Sequence, residues 1–167
     1  MAALPGRHVV HIAAHGLADN RLGNLFGGLW LAPPPGLKTV EPEAADDGFL
    51  GLGEIYRPPL SECELAVLSA CVTNYGPQQP LEAGVTLAGG FLAAGARRVV
   101  ASHWSVDDES TAELMSVFFQ EVTAAARAGR ALSYARALQQ ARRQVRDRAG
   151  WSAPYYWAPF VLVGPAQ

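Results

Sequence analysis

The chain has 167 residues, enough for one domain with a sizeable core, and its 50 % hydrophobic and 17 % charged content excludes a disordered chain. A net charge of −2 excludes a global electrostatic pull toward nucleic acid or an anionic membrane, and no run approaches the roughly 18 apolar residues of a membrane span. Met1 to Gly6 lacks the charged and apolar regions of a signal peptide, so a cytoplasmic protein is expected, with Cys63 and Cys71 too few for a disulfide framework and both thiols in a reducing compartment.

In chain order, His8 to Ala14 is a short apolar run that stops at His15-Gly16, the pattern of a buried parallel strand bounded by a turn. Leu17 to Gly36 is rich in glycine and proline, with a short extended piece at Leu29-Trp30-Leu31. Glu41 to Asp47 is acidic and expected on the surface, and Asp46-Asp47-Gly48 signals a turn. Phe49 to Tyr56 reads as a short helix ended by Pro58-Pro59. Leu65 to Ala70 is a second strand, running into Cys71 to Gly76. Pro77 to Pro80 reads as a loop. Glu82 to Ala94 is a small-residue helix with Gly95 as its stop, and Arg97 to Trp104 is a third strand ending on His103 and Trp104.

Asp107-Asp108-Glu109-Ser110 begins a helix whose Leu114, Phe118 and Val122 recur at helical spacing, with acidic residues at the positive end of its dipole. After Gly129 a further helix runs from Ala131 to about Arg148, with Leu132, Ala135, Leu138 and Val145 inward. Pro159 introduces a last strand, Phe160 to Val163. Alternating strands and helices make the fold class α/β with a mainly parallel sheet. In such sheets the active crevice lies beyond the carboxyl ends of the strands, so one strand delivers an imidazole and another a thiol to the same rim.

A thiol is a poor nucleophile until ionised, and a free cysteine titrates near about 8.5. A neighbouring imidazole favours the thiolate and can later protonate the leaving amine. His15 and Cys71 are the candidate base and nucleophile, and the Gly16 and Cys71 N–H groups are the candidate oxyanion donors. Cys63, between Glu62 and Glu64, is expected to be incidental, because adjacent carboxylates disfavour its thiolate. His8 and His11 point to opposite faces of a strand, and no cysteine pair with zinc spacing accompanies them, so no metal site is expected; His11 reads as a hydrogen-bonded core or rim residue. Thiol redox chemistry has no Cys-x-x-Cys to support it.

Four stretches carry a family resemblance: His11 to Gly16; Val67 to Cys71; Ala93 to Asp108, which includes Ala101-Ser102-His103-Trp104; and Pro154-Tyr155-Tyr156-Trp157-Ala158-Pro159-Phe160. In this order they resemble the motifs of the CHAT family, caspase-like domains often found with tetratricopeptide repeats and distantly related to separase. The upstream histidine also stands at about the spacing of caspase-type enzymes. The resemblance implies a caspase-like three-layer sandwich, helices on both faces of the sheet, spanning 1–167 as the C-terminal, catalytic portion. CHAT domains usually carry more sheet before the histidine strand, so the N-terminal part of the usual domain is expected to be missing here. Members often have glutamate, threonine and glycine after the cysteine; here Val72, Thr73 and Asn74 follow, and Asn74 is expected to take the left-handed backbone of the glycine.

The implied function is a cysteine endopeptidase with a His15–Cys71 dyad, needing no cofactor. It acts on a protein or peptide substrate and is regulated by a tetratricopeptide-repeat or other sensor domain. Asp107 and Asp108 read either as caps of the following helix or as a charged wall for a Lys or Arg side chain at P1, with Trp104 as an apolar wall of that site. Arg127, Arg130, Arg136, Arg142, Arg143, Arg146 and Arg148 are more than half of the 13 basic residues. No stacking aromatics interleave those from Arg136 to Arg148, so a solvated or acid-docking face is expected rather than a nucleic-acid site. The competing reading is a catalytically silent scaffold of the same fold that binds a protein partner.

Overall fold

The structure is a computed structural model that describes residues 4–19, 24, 26–32, 48–57, 59–74 and 86–165. Its elements are β1 (Val9–Ala13), β2 (His15–Leu17), β3 (Gly28–Trp30), β4 (Phe49–Gly51), α1 (Leu52–Ile55), β5 (Leu65–Ser69), α2 (Leu87–Ala93), β6 (Val99–Ser102), α3 (Asp108–Arg127), α4 (Tyr134–Arg146), α5 (Pro154–Trp157) and β7 (Phe160–Val163). The main sheet has the order β1-β5-β6-β7. β1, β5 and β6 run parallel, and β7 pairs antiparallel to β6.

Side-chain alternation along the strands builds two cores, one on each face of this sheet. Leu65, Val67 and Val100 pack with Leu114, Phe118, Leu138, Val145 and Phe160 beneath α3 and α4. Val10, Ala66, Leu68, Val99 and Ala101 face the other way, against Leu52, Ile55, Leu87 and Phe91 of α1 and α2. β5 is buried on both faces, which is why its sequence is an unbroken apolar run. The chain is therefore a mixed α/β sandwich with a mainly parallel sheet and helices on both sides. Among the described residues no helix is long and apolar enough to cross a membrane.

Several boundaries differ from those the sequence predicts. Phe49 to Gly51 is not helical; it forms β4, and only Leu52–Ile55 is a helix. The three residues complete a second sheet, β2-β3-β4, antiparallel throughout. It forms because Leu29 and Leu50, paired across it, are both buried. In α4, Ala135 is exposed and Ala137 and Ala141 face the core instead. The helix starts after the Ser133 cap, three residues later than Ala131 suggests. A short α5 begins on Pro154, where proline's missing N–H costs nothing. The acidic stretch Glu41 to Asp47, the loop Pro77 to Pro80 and residues 82–85 of the second predicted helix lie outside the described residues.

Arg98 is 4 % exposed and ties strand to strand. Its Nη1 donates to Glu64 at 3.0 Å and its Nε donates to the Pro165 carbonyl at 2.8 Å. Cys63 is buried among apolar side chains. Burial first, and the neighbouring Glu64 charge after it, push its thiol above the usual range. Desolvation thus outweighs the carboxylates as the reason Cys63 stays protonated.

Candidate active site

Parallel pairing places Ala13 beside Ser69, so β1 and β5 end on the same edge of the sheet, and the residues after both strands leave together. Ala14 donates its N–H to the Ser69 carbonyl at 3.4 Å, and the backbone then bends into β2. Two residues beyond the last pair stand His15 after β1 and Cys71 after β5. Their backbones touch at Gly16. A β-carbon added there would sit 3.2 Å from the Cys71 nitrogen and overlap its carbonyl oxygen, so only glycine permits this approach.

His15 and Cys71 line one groove of about 590 Å³ together with Ala13, Ala14, Ser69 and Ala70, a volume suited to a peptide side chain and its flanking backbone. The opposite wall is α3, which contributes Asp108, Thr111, Ala112, Met115, Ser116 and Phe119, with Val106 just before it. Most of the lining is apolar. Cys71 is half-buried and reduced.

The turn after Cys71 is left-handed at Val72, with φ of 50°, and not at Asn74. For a β-branched residue this conformation is sterically costly, typically by about 1–3 kcal/mol, and persists only where surrounding contacts impose it. Val72 and Asn74 donate their N–H groups to the Trp104 and Ser102 carbonyls, at 3.4 and 2.8 Å. Those two bonds hold the turn against the end of β6.

The remaining candidates divide. Asp108 lines the groove. Asp107 is the N-cap of α3, its Oδ1 accepting from the Ser110 N–H at 2.9 Å. Trp104 stands outside the groove lining and donates its indole N–H to the Tyr155 carbonyl at 3.3 Å. Replacing Asp107 with alanine is expected to cost about 1 kcal/mol in urea unfolding, as lost caps do, while Asp107→Asn, which still caps, stays near wild type.

On the α3 side of the groove the sequence points to Asp108 alone. The signal for the rest was a second stripe at helical spacing: Asp108, Ala112, Met115 and Phe119, beside the Leu114-Phe118-Val122 core stripe. The sequence also places His11 only at the core or rim, whereas its imidazole lines the groove. There Nε2 lies 2.8 Å from Ser69 Oγ, and the ring centroid is 5.0 Å from that of Phe119.

Loss of solvent lowers the His11 pKa below its usual value. The folded protein thus favours neutral His11, and the unfolded chain takes up that proton first as pH falls below about 6.5. Stability from this group is full above that pH and declines below it. Urea midpoints at pH 7.5 and 5.5 should differ more for wild type than for His11→Gln.

No curated protein matches the chain. The family model for the CHAT domain matches residues 1–165. With its mainly parallel sheet and the loops that gather at one edge of it, the chain belongs to the CHAT domain family, a group related to the caspase-like peptidases.

Proposed function

We propose that the protein is a cysteine endopeptidase that cleaves a protein substrate through His15 and Cys71. The observation that carries this reading is the meeting of the His15-Gly16 and Cys71 backbones at one wall of a peptide-sized groove. In the reaction, His15 accepts the thiol proton and the Cys71 sulfur attacks the scissile carbonyl carbon. The developing oxyanion takes hydrogen bonds from the Gly16 and Cys71 N–H groups. The C–N bond then breaks, His15 gives its proton to the leaving amine, and a thioester remains. Water, deprotonated by His15, attacks the thioester and releases the acid and the thiol.

The substrate side chain lies along α3. Its apolar stem packs on Met115 and Phe119, and Asp108 attracts a basic tip by charge, so Lys or Arg is the proposed P1 residue. Among the described residues, Trp104 and Asp107 are not in the lining of this pocket. The enzyme acts in the cytoplasm, where Cys71 stays reduced, and a neighbouring sensor or repeat domain restrains it, a feature taken from the family.

The test is hydrolysis of fluorogenic tetrapeptide amides carrying Arg, Met or Asp at P1, with product masses read at each time point. Cleavage after Arg by wild type, lost in Cys71→Ala, supports the reading. Exclusive cleavage after Met or Asp overturns the basic P1 residue. No cleavage of any peptide or of denatured casein by the intact full-length protein favours the silent scaffold.

A further inference from the structure

The two hydroxyls buried behind the Cys71 turn, Thr73 and Ser102, have every hydrogen and every close acceptor accounted for within the turn. Both residues are fully buried. Ser102 Oγ donates to the Ala70 carbonyl, the residue before Cys71, at 2.5 Å. It accepts from the Thr73 N–H at 3.3 Å and lies 3.3 Å from Thr73 Oγ1. Thr73 Oγ1 in turn accepts from the Ser102 N–H at 2.8 Å. A hydroxyl has one proton. Since that of Ser102 goes to Ala70, the Thr73 hydroxyl is the donor in the Oγ–Oγ pair.

One pattern of four hydrogen bonds therefore satisfies both hydroxyls. It grips the chain on both sides of Cys71, at Ala70 and at Thr73, while the Thr73 carbonyl accepts from the Ala88 N–H of α2 at 3.2 Å. Between the two grips lies Val72 at φ of 50°, in a conformation that valine by itself avoids.

We infer that Thr73 and Ser102 are positioning residues: a buried hydroxyl clamp that holds the Cys71–Val72 turn in its left-handed form and so fixes the direction of the Cys71 N–H and sulfur. This deepens the peptidase reading and rests on it for its catalytic consequence. The clamp touches neither substrate nor the reacting atoms; it acts through the backbone of Cys71. Released, the turn relaxes toward an ordinary valine conformation, and an N–H aimed at the oxyanion swings away. Loss of one such donor typically costs about 10²–10³ in kcat.

The series is Thr73→Val, which keeps the shape and removes the hydroxyl, Thr73→Ser, which keeps the hydroxyl, and Val72→Gly combined with Thr73→Val. Glycine takes a positive φ without penalty, so it frees the turn from its need for the clamp. Using the peptide amide that wild type cleaves best, Thr73→Val should lose about 10²-fold in kcat with KM changed less than about threefold. Thr73→Ser should stay within about threefold of wild type. The double variant should recover at least about tenfold, a rescue that a packing defect at position 73 would not show. Equal activity of Thr73→Val and wild type, equal loss in Thr73→Ser, or no recovery in the double variant overturns the clamp.

Amide hydrogen exchange at Thr73 and Asn74 keeps the two readings apart. Should wild type cleave nothing, the peptidase reading fails. The clamp then stands if Thr73→Val accelerates that exchange and Val72→Gly reverses the effect, and falls if exchange is unchanged. Should Thr73→Val not fold, the double variant decides. Folded with wild-type protection it supports the clamp; unfolded, it assigns the hydroxyls to fold stability alone.

Discussion

Alanine at Cys71 is expected to lower kcat/KM for peptide hydrolysis by about 10⁴-fold or more, and alanine at His15 by a similar factor, with the double variant no worse than Cys71→Ala alone. Groups that act as one unit are strongly non-additive: once the nucleophile is gone, its base has nothing to activate. Such losses, about 5 kcal/mol or more of transition-state stabilisation, dwarf anything these changes do to the fold. Cys71 is half-buried and His15 exposed, and neither belongs to the two apolar cores. Melting temperatures of both variants should therefore stay within a few degrees of wild type. Steady-state kinetics beside thermal melts check this. An activity loss that scales with unfolding would point to structural damage, and additive losses would mean that the two residues do not work on one proton.

Gly16→Ala carries the second large effect, and it falls on fold and activity together. The new methyl overlaps the Cys71 carbonyl oxygen and approaches its carbonyl carbon at 3.0 Å. The neighbouring atoms are backbone, which cannot rotate away as a side chain can. Either β2 or the Cys71 turn must move, at a cost of about 1–3 kcal/mol by the general experience of overpacked sites. Either movement separates the two N–H groups proposed to bind the oxyanion, so kcat should fall about 10²–10³-fold. The matched control is Gly53→Ala in α1, where an added β-carbon meets nothing within 4 Å and better helix propensity makes the change neutral or slightly stabilising. Urea unfolding and kcat on the same preparations test the pair. Wild-type kcat in Gly16→Ala would remove Gly16 from the oxyanion site.

What was legible in the sequence followed from periodicity and punctuation. The run Leu65 to Ala70 ends on Cys71 because β5 is buried on both faces and then meets the rim. Gly95 and Gly129 stop helices with φ of 112° and 60°, conformations that only glycine takes freely. Asp107 caps α3 as its side-chain chemistry suggests.

The misses have equally local reasons. β4 is three residues long and stabilised by partners in β3, 19 to 23 positions earlier, and no short window of sequence contains that pairing. Phe49 to Tyr56 reads as a helix because Leu52–Ile55 within it is one. Intrinsic tolerance favours Asn74 as the left-handed residue, yet the clamp and the Ser102 and Trp104 carbonyls impose that turn on Val72. Tertiary contacts override local preference there, as they do at functional sites elsewhere. Of the α3 wall only Asp108 is legible, by its charge; Met115 and Phe119 carry no polar group that sets them apart from the neighbouring core stripe. One stripe of the helix does serve the core, and the next serves the groove.

The most direct test of a shared His15–Cys71 site is covalent labelling by a peptidyl acyloxymethyl ketone with arginine at P1, read by intact mass and peptide mapping, beside iodoacetamide as a measure of plain thiol access. Wild type should gain one adduct, on Cys71, and His15→Ala should lose the ketone adduct while still reacting with iodoacetamide. Equal ketone labelling of wild type and His15→Ala, or an adduct on Cys63, would contradict the account.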